Sequence, residues 1–461
     1  MFKIVPVTRP SLAAAIGMTI VIMAVISSSI IWLESVPHIP ILLSIFLLAA
    51  YGMGKKISFA KLKEGMIDGA KSGMDAVFIF FLIGILISSW IISGTIPTMI
   101  HAAFGLVTPS FFYSIVFIVT AIVGIGIGSS LTTVATIGVA FIGVSQAIDA
   151  SAAITAGAIV SGAFFGDKMS PLSDTTNLAA SVVGVDLFEH IKNMGWTTIP
   201  AFFLSLVLFG VISPKAGEVQ FPKIDMIKAT LVQENLVHWY AWIPLLILFI
   251  MSIKKVSPFI TLAVSSIAGV LLSFFHSNQT LASVFQVLFS GYTAKTGNAE
   301  VDALLTRGGI ESMMFTVSLV LLSLSLGGLL FTLGVVPRMF EAVEQRLKKA
   351  STTVTSAAAS AIGINLVIGE QYLSILLTGE AFQKQFEKVK LAKKNLSRTL
   401  EDAGTVINPL VPWGVCGVFI TNMLEVKTID YLPFAFFCLL SPILTLVFAW
   451  TGWTLTKTES K

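Results

Sequence analysis

Apolar runs punctuated by a few polar residues dominate the chain. Residues 11–33, 76–107, 110–148, 256–294, 312–337 and 431–456 contain no Asp, Glu, Lys or Arg. Each is as long as the roughly 20 residues a helix needs to cross a hydrocarbon core. With the shorter apolar stretches between them, the pattern predicts an all-α polytopic protein of about 10–12 crossings. Two entry helices (11–33, 39–53) lead to an amphipathic basic stretch, 58–72, of the kind that lies along a membrane interface. Residues 1–73 therefore form an entry segment. A first bundle follows over 74–213, then an aqueous connecting loop over 214–238, where Lys215, Glu218, Lys223, Asp225, Lys228 and Glu234 mix with Pro and Gly. The second bundle occupies 239–461, interrupted by a polar loop at 293–311.

The halves resemble each other. The run 128–136, Gly-Ser-Ser-Leu-Thr-Thr-Val-Ala-Thr, is matched with 351–360, Ser-Thr-Thr-Val-Thr-Ser-Ala-Ala-Ala-Ser, and the polar stretch 166–180 with 401–414. In this pairing the basic stretch 383–397 counts as an insertion in the second half. Many transporters consist of such repeats, with broken helices forming the binding site near the midplane.

Composition makes lipid the solvent: 55% of residues are hydrophobic and 12% charged, where soluble domains carry roughly 25% charged residues. No small-residue cleavage site follows the first apolar run, so it reads as a transmembrane helix rather than a signal peptide. The formal charge of +4 does not point to nucleic acid, because the basic residues fall in short loops: Lys55, Lys56, Lys61 and Lys63; Lys254 and Lys255; Arg338, Arg346, Lys348 and Lys349; and 384–398. That distribution follows the positive-inside rule and places both termini in the cytoplasm. Cys416 and Cys438 lie in apolar segments and read as core residues. No CxxC, His cluster or phosphate loop calls for a metal, redox or nucleotide cofactor.

The chemistry concentrates at 166–180, Gly-Asp-Lys-Met-Ser-Pro-Leu-Ser-Asp-Thr-Thr-Asn-Leu-Ala-Ala. A charge within a span costs about 2.5–3.5 kcal/mol on insertion scales, so Asp167 and Asp174 need a reason to be there. Pro171 removes a backbone donor and drives Ser170 out of helical conformation. The helix is expected to unwind around 169–172 and restart with Ser173 or Asp174 as its cap. Freed carbonyls and the oxygens of Ser170, Ser173, Thr175, Thr176 and Asn177 then surround two carboxylates, the hard donors a small hard cation prefers. Asp174 and Asp167 are the candidate Na+ ligands, and competition between cation and proton at one carboxylate is antiport. The alternative is an Asp167–Lys168 pair at a wet helix end, with hydroxyls serving as interhelical glue. In the second half Glu370 is a buried candidate for a proton or ion. Asp402, Thr405 and Asn408 flank a break at Pro409 and Pro412, with an Asp402–Arg398 ion pair as the plainer reading. The glycines at 124, 126 and 128 suit close helix packing or a break. The histidines read as interfacial.

Residues 162–179 resemble the signature stretch of the NhaC family of bacterial sodium/proton antiporters, and 395–413 are similar to that family's second-half motif. The resemblance covers essentially the whole chain. It implies a bacterial plasma-membrane antiporter of the ion-transporter superfamily, with inverted repeats, re-entrant hairpins and dimerisation, whose substrates are Na+ and H+. Some proteins resembling the family instead exchange malate for lactate with coupled protons and sodium. For such a substrate the restarted helix at Ser173 offers an N-terminus, and Lys168 is the cation near the motif. An intramembrane aspartyl protease would need a second Asp in a Tyr-Asp context, which the chain lacks. A passive channel would not need titratable groups in both halves.

Overall fold

The structure is a computed structural model that describes residues 4–106, 111–214, 221–277, 279–344 and 347–458. Lys215, Glu218, Arg346 and several run ends (Val107, Ser110) fall outside the described residues. Helices α1 (Leu12–Ile31), α2 (His38–Gly54) and α3 (Phe59–Lys71) precede a first series: α4 (Met74–Ile92), α5 (Thr95–Leu106), α6 (Phe112–Ile127), α7 (Ser130–Ala147), α8 (Ala152–Met169), α9 (Asp174–Val183) and α10 (Leu187–Ile212). Next come α11 (Phe221–Gln233), α12 (Trp239–Ile253), α13 (Pro258–Ser273), α14 (Leu281–Ser290) and α15 (Ala299–Leu305). A second series closes the chain: α16 (Gly309–Thr332), α17 (Val335–Glu344), α18 (Ala350–Ile368), α19 (Gln371–Lys388), α20 (Lys393–Leu410), α21 (Val415–Leu424), α22 (Thr428–Phe434) and α23 (Phe436–Thr451).

Among the described residues, six helices are long and apolar enough to cross a membrane, or up to eight if each bent pair is one span. Ten to twelve crossings are reached only by counting shorter apolar helices such as α2, α6, α12 and α13. Several uninterrupted apolar runs prove to be two helices, because the sequence contains turns that carry no charge. The run 76–107 divides at Gly94 (φ +78°), 110–148 at Gly128 (φ +71°), and 312–337 at Gly334 (φ +69°). The expected loop at 214–238 also needs correction, since 221–233 is helical and packs against α5.

The two series repeat one another in register. The segment Gly94-Thr-Ile-Pro-Thr-Met99 recurs as Gly334-Val-Val-Pro-Arg-Met339, each glycine left-handed and each opening a helix. That pair is 240 residues apart, and from Gly128 to the end of the second broken helix the spacing is constant at one residue more. Positive φ occurs at Gly128 and Gly369, at Asp149 and Lys390, and at Gly184 and Glu425, each pair 241 residues apart. Helices α9 and α21 both have 10 residues. This register replaces the pairing of 128–136 with 351–360. Gly128-Ser129 corresponds to Gly369-Glu370, Pro171 to Pro412, and 383–397 is no insertion. The Ser/Thr-rich composition of 351–360 resembles 128–136 without occupying the same place. Each series also packs on flanking helices: α3 lies against α16, with Leu62, Gly65 and Gly69 buried, and α13 lies against α4.

Candidate ion site at four helix breaks

The first break lies between α6 and α7. Gly128 ends α6 in the left-handed region, and Ser129 caps α7 by accepting from Thr132 N. The second lies between α8 and α9, where Ser170 is extended (φ −85°, ψ 127°) and Ser173 caps α9 by accepting from Thr176 N. The Pro171 break and the Ser173 cap are thus where the sequence placed them. The two breaks touch: a Cβ at Gly128 would stand 2.6 Å from Leu172 Cβ and 3.0 Å from Ser170 Oγ. The second series repeats this contact, with Gly369 against Trp413 and Gly414 and with Val415 N donating to Gly369 O at 2.7 Å.

Asp167 is buried, 4% exposed, and accepts hydrogen bonds from the Ser173 hydroxyl and from the hydroxyl and backbone N–H of Ser130. Ser130 opens α7, so the carboxylate also faces a helix N-terminus. Asp174 is exposed and lines both cavities at this site. Two carboxylates are therefore stacked, one at the cavity wall and one behind it. The neighbouring oxygens are less free than the sequence suggested. Thr176 Oγ1 donates to Lys168 O, Asn177 Nδ2 donates to the carbonyls of Pro171 (3.0 Å) and Ser173 (2.7 Å), and Leu172 N donates to Ser170 Oγ. Thr175 Oγ1 pairs with Ser173 Oγ at 3.1 Å. These bonds hold the unwound segment open.

Across the cavity, Glu370 caps α19, its Oε2 accepting from Leu373 N at 2.7 Å. A cavity of about 1100 Å³ is lined by Ser129, Thr132 and Asp174 from the first series and by Glu370, Gln371 and Tyr372 from the second. It extends to the α3–α4 corner, where Asp68, Lys71 and Asp75 line it. A second cavity of about 310 Å³ runs from Asp174 and Asn177 to Lys255 and Ser257.

The remaining candidates lie apart from the carboxylate pair. Asp402 is fully buried and bonded to Lys168 Nζ, not to Arg398 or to an open site. Its carboxylate also accepts from Ser441 Oγ (2.8 Å), Thr197 Oγ1 (3.1 Å) and Thr445 Oγ1 (2.5 Å). Arg398 donates instead to Thr454. The alternative of an Asp167–Lys168 pair fails for the same reason, since Lys168 turns to the other series. Asn408 stands at the register position of Asp167. Its Nδ2 donates to Asn365 Oδ1 (2.8 Å) and its Oδ1 accepts from Cys416 N (2.7 Å), so an amide network fills that break. Thr405 is buried with its hydroxyl unpartnered. His190 lies near the start of α10, as its position at a span end suggested, and is fully buried, with Nδ1 on Ser397 Oγ at 2.8 Å. Cys416 and Cys438 are free and buried. Sequence reasoning did not assign Ser130, Tyr372 or the Lys168–Asp402 pair. For the pair there was no local signal, as its members are 234 residues apart.

Comparison with known proteins decides the family. Residues 162–453 match the model of the Na+/H+ antiporter family. The chain belongs to that family. It is 40% identical to the Na+/H+ antiporter NhaC of Alkalihalophilus pseudofirmus over 97% of this chain and 98% of that one. It is 39% identical to the NhaC of Bacillus subtilis over 94% and 96%. It is also 29% identical to a malate-2H+/Na+-lactate antiporter of Bacillus subtilis, over 97% and 96%. As a Na+/H+ antiporter family member with these apolar helices, the chain is a multi-pass membrane protein, and the break at 170–173 lies within the matched residues.

Proposed function

We propose that the chain exchanges Na+ for H+ across the bacterial plasma membrane by alternating access, with both termini in the cytoplasm and the two series acting as inverted repeats. Na+ is held by Asp167 and Asp174 with hydroxyls of the adjoining breaks, and a proton takes its place when it leaves. The supporting observation is the pair of stacked carboxylates beside hydroxyl donors at a cavity wall. One carboxylate is close enough to water to receive an ion, and the other is deep enough that it cannot stay charged alone.

The malate/lactate reading needs a positive group for an organic carboxylate. Lys168, the cation nearest the motif, is bound to Asp402. The start of α9 carries Asp174, which opposes an anion there. The larger cavity presents Asp68, Asp75, Asp174 and Glu370 against Lys71. Positive charge is what such a vestibule attracts.

Competition makes a direct prediction for sodium binding. The apparent Na+ affinity measured by calorimetry should fall as pH drops, approaching tenfold per pH unit in the acidic limit, about what displacement of one proton requires. Asp167→Asn should flatten that dependence and remove most of the affinity. A Na+ affinity independent of pH in the unmutated protein would exclude a shared site.

A further inference from the structure

Glu401 lies on the one-turn π bulge of α20, next to Asp402, and is fully buried. Neither of its carboxylate oxygens makes a well-formed hydrogen bond, and the group within reach of them is the Thr405 hydroxyl. A carboxylate ionised in that setting would be a desolvated charge with a single neutral hydroxyl to donate to it, a costly arrangement in an interior. The charges around it do not relieve this. Lys168 faces it from α8 but is held by Asp402, which Ser441, Thr197 and Thr445 also satisfy. The other charged neighbours, Asp167 and Asp402, are both negative. Arg398, one turn earlier, is engaged with Thr454.

A neutral acid resolves each of these conflicts. The Thr405 hydroxyl stands beside Glu401 with no other partner, and an O–H on Glu401 lets the two pair without leaving a net charge buried between them. The adjoining stretch of α19, fixed by contact of Gly379 with Leu400 and of Ser374 with Gly404, contains Thr378, another buried hydroxyl without a partner. A π bulge inserts one residue into a helix and is frequent at functional sites.

We propose that Glu401 is a second proton site of the transporter, separate from the cation ligands and coupled to them electrostatically. The inference rests on the cation-exchange reading above. A cation arriving at Asp167 adds positive charge within range of Glu401 and favours release of its proton. By linkage, protonation of Glu401 weakens cation binding to the same extent. Release is simple dissociation: the O–H bond breaks, the electron pair stays on the carboxylate and the proton passes to water.

Infrared difference spectroscopy on the purified protein in lipid tests this. At neutral pH the spectrum should contain a protonated-carboxyl C=O band that Glu401→Gln removes and that diminishes when NaCl replaces choline chloride. Should the glutamine variant fail to assemble, Glu401→Asp carries the test, because shortening the acid moves the Glu401 component and leaves the others in place. A Glu401→Gln spectrum identical to the unmutated one in that band would overturn the proposal. So would a Glu401 band that no substrate changes, which would make the acid a static one. A band that ignores sodium but responds to malate or lactate would keep the proton site and refute the cation reading instead.

Discussion

Lys168 leaves the end of α8 and meets Asp402 of the second series where neither side chain touches solvent. Two charges withdrawn from water in this way contribute little net stability while both are present, but removing one leaves the other stranded. Lys168→Met should therefore lower stability by about 3–5 kcal/mol, read as a large fall in the thermal midpoint in detergent. Lys168→Met combined with Asp402→Leu should recover much of that loss, because the stranded charge is gone. A single mutant as stable as the unmutated protein would show that the pair does not join the two series. At the ion site, Asp167→Asn and Asp174→Asn each remove one charged ligand. Losing a charged hydrogen-bonding group costs about 1.5–3 kcal/mol, so sodium affinity measured by titration should fall roughly 10- to 150-fold. The larger loss is expected at Asp167, with its three serine contacts.

The elements explain why some of this was legible in the sequence and some was not. Pro171 announces its own break, and Ser173 three residues before Thr176 announces the cap, because both signals act within one turn of chain. The break at Gly128–Ser129 was visible only as a glycine that could allow one. What makes it a break is the left-handed φ together with Leu172 and Ser170 pressed against it. The corresponding break at Gly369–Glu370 was missed as a turn, since Glu370 reads equally well as a buried acid within a span. The repeat register was misread because Ser/Thr/Ala composition is shared by any close-packed membrane helices, whereas positions of positive φ are not written in composition. Gly128→Ala should cost at least about 1–2 kcal/mol, the penalty for a side chain in left-handed conformation, and should abolish exchange in reconstituted vesicles. Gly363→Ala in α18, where an added Cβ meets nothing within 4 Å, is the control and should behave like the unmutated protein. Equal activity of the two variants would show that the α6–α7 break is not needed.

For the whole molecule, the hydrophobic pattern and basic loops were enough to identify a polytopic membrane protein, and the family match runs from the end of the first series through the second, residues 162–453. What joins those halves, the Lys168–Asp402 pair and the cavity between Asp174 and Glu370, depends on packing between segments some 200 residues apart. No local pattern encodes such contacts. In the proposed orientation the α3–α4 corner is cytoplasmic, so the large cavity gives the site access from inside. Alternating access then requires the breaks to become accessible from the opposite face. The most direct test of sodium/proton exchange places the purified protein in liposomes with an imposed pH gradient and follows internal pH while sodium, potassium, malate or lactate is added in turn. Sodium alone should collapse the gradient in the unmutated protein and fail to do so with Asp174→Asn. A gradient untouched by sodium but discharged when malate is exchanged for lactate would contradict the account.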